Sequence, residues 1–291
     1  MRILITGGSG QLGRDCTTVL KKKYDVTPVA SNALDIADRR AVEGLVQELK
    51  PDVILNCAAF TRVDDCETHK ALAWKVNVEG AKHLASAAGG LGARMIHIST
   101  DYVFDGQKQV PESYTEKDNT HPISYYGLTK LEAEKGVCAE TDRYTILRTA
   151  WLYGVNGRNF LKTMLRLALG DPKREITVVH DQFGSPTWSY RLAEQIEKVM
   201  DADINGTFHA TSEGHCTWYE LAATFLDEME VPNTLVPCTT RDYPTPAKRP
   251  LNSILENQRL KDEGLNIMRD WRADLVQFVS IFKKRLLGEV T

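Results

Sequence analysis

The sequence predicts an α/β protein, a doubly wound Rossmann-like parallel sheet with a smaller C-terminal lobe. Three observations carry this. Short β-branched runs alternate with longer amphipathic ones through the first half of the chain, the pattern of βαβ units in a parallel sheet. The first run passes directly into glycines at Gly7, Gly10 and Gly13, between a strand and a helix. From about Trp151 the alternation gives way to helices separated by Pro- and Gly-bearing segments. The division is a dinucleotide-binding domain over 1–150 and mainly a substrate-binding lobe over 151–291, from which the chain can return to the first domain.

Taken in order, Arg2–Ile5 reads as a strand, Gln11–Lys23 as a helix and Asp25–Ala30 as a second strand. Arg39–Leu49 is helical and ends before Pro51, and Val53–Asn56 is a short buried strand. Lys70–Ala88 reads as one long Ala-rich helix, followed by the strand Arg94–Ser99, the helix Tyr126–Glu140 and the strand Tyr144–Arg148. Further helices are expected over Arg158–Leu169, Ser189–Met200, Trp218–Glu228 and Asp274–Leu287, with irregular segments such as Asp181–Trp188 and Tyr243–Pro250 between them.

Composition excludes several classes. The 291 residues are 42% hydrophobic and 26% charged with a formal net charge of -3, so nothing favours a nucleic-acid partner. No apolar run approaches the roughly 20 residues a membrane span needs. The start, MRILITGGSG, is a strand entering glycines rather than an export signal, and a soluble cytoplasmic protein is expected. Six cysteines lack CxxC pairing and are read as reduced and structural. The seven histidines show no ligand spacing, so no metal is expected.

In Gly7-Gly8-Ser9-Gly10-Gln11-Leu12-Gly13 the first glycine lets the chain turn, the second lets backbone approach a pyrophosphate, and the third lets the helix pack close to the strand. The phosphates then lie at the helix N-terminus, over Gln11 and Leu12, where free N–H groups and the dipole favour negative charge. An Asp or Glu ending the second strand would hold the ribose 2′-hydroxyl of NAD and repel a 2′-phosphate. Val29-Ala30-Ser31-Asn32 stands there instead, so NADPH and NADH are both admitted, with Arg14 placed to help neutralise the extra phosphate. Asp35-Ile36 either meets the adenine or, for Asp35, caps the next helix.

The stretch Ser124-Tyr125-Tyr126-Gly127-Leu128-Thr129-Lys130 opens a helix, and only Tyr126 stands four residues before Lys130, the spacing that shares a helix face. A phenol beside an ammonium group loses its proton more easily, so Lys130 is expected to lower the pKa of Tyr126.

The glycine turn, Ser99-Thr100-Asp101 at a strand end and Tyr126-x-x-x-Lys130 occur in this order, and together they resemble the extended short-chain dehydrogenase/reductase family, which acts largely on nucleotide-linked sugars. Asn56-Cys57-Ala58-Ala59, with Thr61, resembles the cofactor-lining segment of that family, and Asn77 falls at its helix asparagine. Ser99 to Gly106, Arg148 to Gly154, Asp181 to Thr187 and Arg249-Pro250-Leu251-Asn252-Ser253 are similar to the dTDP-4-dehydrorhamnose reductases within it, essentially from end to end.

The resemblance implies reduction of the 4-keto group of a dTDP-linked deoxysugar, dTDP-4-dehydro-L-rhamnose, with the hydride from a nicotinamide and the proton from Tyr126. Lys130 would hold the nicotinamide ribose, Thr100 the keto oxygen, and Asp101, Tyr102 and Trp151 would line the sugar. Arg249 would pair with the diphosphate, with Asn252 adding a hydrogen bond. Tyr102 stands where dehydratases of the superfamily carry a glutamate, so elimination is disfavoured. A 4-epimerase that retains NAD, or a non-catalytic subunit like the regulatory subunit of methionine adenosyltransferase, remain as alternatives. Some family members form homodimers around magnesium. Asp15 falls near one such ligand position, but Tyr190-Arg191 replaces an acid, which weighs against both metal and dimer.

Overall fold

Arg2–Thr6 forms the first strand, β1, with Ile3, Leu4 and Ile5 all buried, as a parallel sheet covered on both faces requires. The computed structural model describes residues 1–171 and 173–289. Four more strands follow, β2 (Asp25–Val29), β3 (Val53–Asn56), β4 (Arg94–Thr100) and β5 (Tyr144–Thr149). They lie in the order 2-1-3-4-5, and the strand Gly206–His209 adds to the outer side of β5; every pairing is parallel. The order reverses at β1, so the chain leaving β1 and β3 opens a crevice at their carboxyl ends, where doubly wound sheets bind ligands.

Helices cover both faces. On one, α1 (Gln11–Leu20) packs with the helix Ser189–Asp201, burying Cys16, Val19, Leu192 and Ile196 over the sheet. On the other face lie α2 (Arg39–Leu49), then α3 (Val63–Thr68), α4 (Lys70–Trp74), α5 (Gly80–Leu91) and α6 (Tyr125–Glu140); Val42, Leu84, Ala85 and Val137 form the core shared by α2, α5 and α6, while Cys66 of α3 and Ala73 of α4 cluster with Tyr126. A separate core around Leu165, Phe225, Trp271 and Phe278 belongs to the second half of the chain. Among the described residues no helix is long and apolar enough to cross a membrane.

The structure departs from the expected elements in several places, among them short strands in the second half such as Glu175–Val179 paired with Thr234–Cys238. The single helix expected from Lys70 is split by a π-helical turn, Lys75–Glu79, between α4 and α5. The widened turn carries Asn77, whose side chain clamps the backbone of Phe60 and the Thr129 hydroxyl, a use of irregular backbone common near functional sites. The short helix α3 and the strand Gly206–His209 lack periodicity long enough to read. The last helix begins earlier than expected, at Trp271, because Asp270 accepts from the N–H groups of Arg272 and Ala273.

Helix α6 is fixed to β5 by a buried ion pair. Arg148 donates to both oxygens of Glu134, at 2.9 and 2.7 Å, and both side chains are almost fully covered. Removing one partner leaves a buried charge uncompensated, which typically costs about 3–5 kcal/mol. Glu134→Ala should therefore lower the unfolding free energy by about that amount, measured in urea, whereas Glu134→Gln, which keeps the shape and one hydrogen bond, should lose less.

Candidate active site

The glycine turn is built by close approach. Gly7 has φ +68°, and a Cβ there would stand 2.7 Å from the N of Ala58; at Gly13 a Cβ would stand 2.2 Å from the carbonyl of Gly7. The turn therefore sits tight against β3 while α1 begins at once. Gly10, the residue before α1, supplies no side-chain cap, which leaves the first N–H groups of the helix open to an anion.

These N–H groups face a cleft of about 700 Å³. Gly7, Gly10, Gln11, Leu12, Asp35, Ile36, Ala58, Ala59 and Thr61 are among the residues that line it. Ser31 also lines it, beyond β2, and no acid stands there. The two readings of Asp35 separate: Asp38 caps α2, accepting from the N–H groups of Arg40 and Ala41, while Asp35 accepts from the N–H of Ala37 at the cleft wall. Arg14 lies outside the lining, with its Nε donating to the carbonyl of Ser9.

The far end of the cleft is made where β4 meets α6. Thr100 ends β4 and Asp101 and Tyr102 follow in a 3-10 turn, and Tyr126 and Lys130 reach the same space from α6. Ser124 caps α6 by accepting from the N–H of Gly127 at 3.1 Å, which sets the start of the helix and hence which tyrosine turns inward. Tyr126 does. Tyr125 lies outside the lining, its N–H donating to Glu67 and its ring beneath Lys70.

The electrostatics correct one expectation. Lys130 does not lower the Tyr126 phenol; burial pushes that phenol up, the Asp101 carboxylate adds to the rise, and the Thr100 hydroxyl only partly offsets it. The physical reason is that Lys130 is itself buried, with its pKa lowered to about 8 by desolvation, and its Nζ donates to the carbonyl of Ile98 at 2.6 Å and lies 3.2 Å from His97 Nε2. A phenol held in its protonated form is the one able to give a proton away. Thr100 Oγ1 donates to Asp101 Oδ1 at 2.9 Å, and burial pushes the Asp101 carboxyl up to about 6.

On the opposite wall Trp151 adopts φ +47°, a strained backbone for a bulky residue, and its indole stacks on that of Trp218 with centroids 3.6 Å apart. Both line the cleft. Sequence reasoning missed Trp218. Its only signal was the capping box of Thr217 and Glu220, which marks the helix start without saying what its first residue faces.

Besides Gly13, which packs against the Gly7 carbonyl, three expected ligand residues lie outside the lining. Asn77 is engaged with Phe60 and Thr129. Asn252 is buried, its amide donating to the carbonyls of Lys108 and Glu112 and accepting from the N–H of Ile254, so it holds a loop rather than facing the cleft. The fork of Arg249 holds Asp64, at 3.0 and 2.8 Å. Asp15 is buried against Ser189 and Asn156, Arg191 pairs with Asp274, and no group of acids, histidines or cysteines able to hold a metal occurs among the described residues.

The parallel sheet and the glycine turn at its crevice define a Rossmann-like protein of the short-chain dehydrogenase/reductase kind. Within that class the chain belongs to the family described as RmlD substrate binding domain, whose model matches residues 1–284. It is 42% identical over 284 residues to a dTDP-4-dehydrorhamnose reductase of Streptomyces griseus, covering 95% of this chain and 92% of that one. Among solved structures, a dTDP-4-dehydrorhamnose reductase from Clostridium acetobutylicum is 45% identical, with TM-score 0.94 over 97% of this chain and 100% of its own. The enzyme of that name from Bacillus anthracis, in complex with NADP, is 38% identical, with TM-score 0.92 over 96% of this chain and 98% of its own.

The raised Asp101 pKa has a consequence for stability. Folding favours the protonated acid, so its contribution is present at low pH and lost as the pH rises through about 6. Asp101→Asn cannot ionise and escapes that loss. Relative to the parent, the variant should gain stability between about pH 4 and pH 7, by up to about 3 kcal/mol, in urea unfolding at the two pH values. A constant difference would mean that the carboxyl is not raised.

Proposed function

We propose that the protein is an NAD(P)H-dependent reductase of the 4-keto group of dTDP-4-dehydro-L-rhamnose, giving dTDP-L-rhamnose. The observation that carries the reading is the meeting of Thr100, Tyr126 and Lys130 at one end of a cleft whose other end is the uncapped N-terminus of α1. The relatives named for this reaction, and the NADP of the Bacillus anthracis structure, support it.

The glycine turn fits a dinucleotide pyrophosphate, because the positions where a side chain would block close approach are glycines. Gly7, Gly10, Gln11, Leu12 and Gly13 would hold the phosphates, Asp35 and Ile36 the adenine side, and Ala58, Ala59 and Thr61 the middle. The reduced nicotinamide, when bound, supplies the hydride. The chain's own residues do the rest. The Thr100 hydroxyl, turned from Asp101 to the sugar, holds the keto oxygen, and the Tyr126 hydroxyl delivers its proton to that oxygen as negative charge develops there. Lys130 holds the ribose beside the phenol. Trp151 and Trp218 form the apolar wall against the deoxysugar. Arg249 takes the diphosphate in place of Asp64, since its planar fork suits two phosphate oxygens as well as two carboxylate oxygens.

The deciding experiment follows loss of NADPH and of NADH absorbance with the dTDP-4-keto sugar and identifies the sugar product. A 4-epimerase that retains its NAD, or a binding subunit, would consume neither.

Tyr126→Phe should keep cofactor binding while lowering turnover by roughly 10²–10⁴, the usual worth of a positioned general acid. Tyr125→Phe should be mild, and equal losses would overturn the role given to Tyr126. Arg249→Ala should raise the KM for the dTDP sugar by roughly one to two decades, since charge-assisted hydrogen bonds contribute about 1.5–3 kcal/mol, and leave the Kd for NADPH nearly unchanged. Arg249→Lys should recover only part of this.

A further inference from the structure

Beneath the cleft a polar row crosses the sheet. Thr6 of β1 is in register with Asn56 of β3, and Asn56 with His97 of β4. The three side chains are almost wholly buried and joined in sequence. Asn56 Oδ1 accepts from the Thr6 hydroxyl at 2.7 Å and from the N–H of Ala58 at 3.0 Å; Asn56 Nδ2 lies 3.1 Å from His97 Nδ1; His97 Nε2 lies 3.2 Å from Lys130 Nζ.

The proton positions follow from these contacts. The Ala58 N–H can only donate, so the Asn56 oxygen must face it and the Asn56 NH₂ must face His97. His97 Nδ1 then accepts. Burial and the nearby Lys130 hold the His97 pKa well below its ordinary value, so the ring is neutral and carries its single proton on Nε2. That N–H is aimed at Lys130. An ammonium has only donors to offer it, whereas a neutral amine can accept through its lone pair and still donate to the carbonyl of Ile98.

We propose that Asn56 and His97 are positioning residues that present a hydrogen-bond donor to Lys130 and so bring its proton uptake into the neutral range. The lowered Lys130 pKa, about 8 with burial as its largest cause, agrees with this. The charges facing Lys130 do not supply the lowering. Glu134 on its own helix and Cys57 beyond β3 both act to raise it, and Arg148 on β5 is paired with Glu134. Asp101 and Tyr126 complete the surroundings, at the cleft end. The inference rests on the proposed reading only for the use made of Lys130, the group that would hold the ribose beside the proton donor.

The test uses the full chain without cofactor or sugar, so it is decided even if the protein reduces no dTDP sugar. In ¹⁵N spectra of histidine-labelled protein, with His97 assigned by its loss in His97→Gln, the ring should show a protonated Nε2 and a bare Nδ1 between about pH 6 and pH 9. In Asn56→Asp the carboxylate accepts where the amide donated. His97 should then switch to the Nδ1–H tautomer and offer Lys130 an acceptor. The ¹³Cε resonance of Lys130, assigned by its loss in Lys130→Met, should titrate about one pH unit or more higher in that variant, the scale of a favourable neighbour's effect. An Nδ1–H tautomer in the parent protein overturns the proposal whether or not Asn56→Asp folds. So does a switched tautomer that leaves the Lys130 titration where it was.

Discussion

Helix α6 lies against the chain leaving β4 with only a hydrogen atom at Gly127 to separate them; a Cβ there would stand 2.2 Å from the carbonyl of Tyr102. The geometry of the reacting end depends on this approach. It sets the Tyr126 ring edge-on to Tyr102, with centroids 5.6 Å apart, and it carries Lys130, one turn later, down to the Ile98 carbonyl. A bulkier residue at 127 would lift the helix and withdraw both groups together, because they share one face of one rigid element. The Ser124 cap settles the remaining freedom, the register at which the helix starts. Catalytic groups held by a helix in this way keep their positions more closely than groups on a loop.

Two kinds of buried charge lie under that helix, and they have different consequences. Glu134 and Arg148 satisfy each other through two hydrogen bonds, and the Ser99 hydroxyl donates to the same carboxylate; the cluster holds α6, β4 and β5 in one place. Lys130 and Asp101 have instead carbonyl, hydroxyl and imidazole contacts, which cannot repay the loss of water around a charge. Their proton equilibria move towards neutral pH as a result, to about 8 and about 6. A group that titrates near the working pH is suited to moving protons, whereas a satisfied pair is suited to holding a scaffold. The site contains both, a few residues apart on the same helix.

How much of this was legible in the sequence follows from the range over which each feature is determined. The glycine turn and the Tyr126–Lys130 pair are local, set by strand-turn-helix order and by the four-residue spacing, and the structure has both facing the cleft. The polar row of Thr6, Asn56 and His97 is set by strand register, which no spacing along the chain reveals. The same holds for Asn77 and Asn252. Each is an amide beside a recognisable motif, but whether it faces a ligand or a backbone carbonyl depends on segments 17 to 144 residues away. Trp218 is the counterpart: a helix-start residue in the sequence, a wall of the cleft only because the strained turn at Trp151 brings the two indoles together.

The pairing of Arg249 with Asp64 is one place where the two halves of the chain meet. Asp64 lies in the first turn of α3 in the first half; Arg249 and Ala247, whose N–H also reaches Asp64, belong to the second. Both charged side chains keep part of their surface in water, and pairs of that kind contribute about 0–1 kcal/mol to stability. Fold stability therefore gives little reason for the pair to persist against a better partner. A diphosphate offers more negative charge than one carboxylate and the same two-oxygen geometry, so on the proposed reading the exchange of Asp64 for substrate is favoured at Arg249 itself. Such an exchange would free the Asp64 carboxylate on the first-half side while anchoring the nucleotide on the second. On that reading, nucleotide binding would redistribute charge between the two halves at this contact, without any demand on the buried pair that fixes α6.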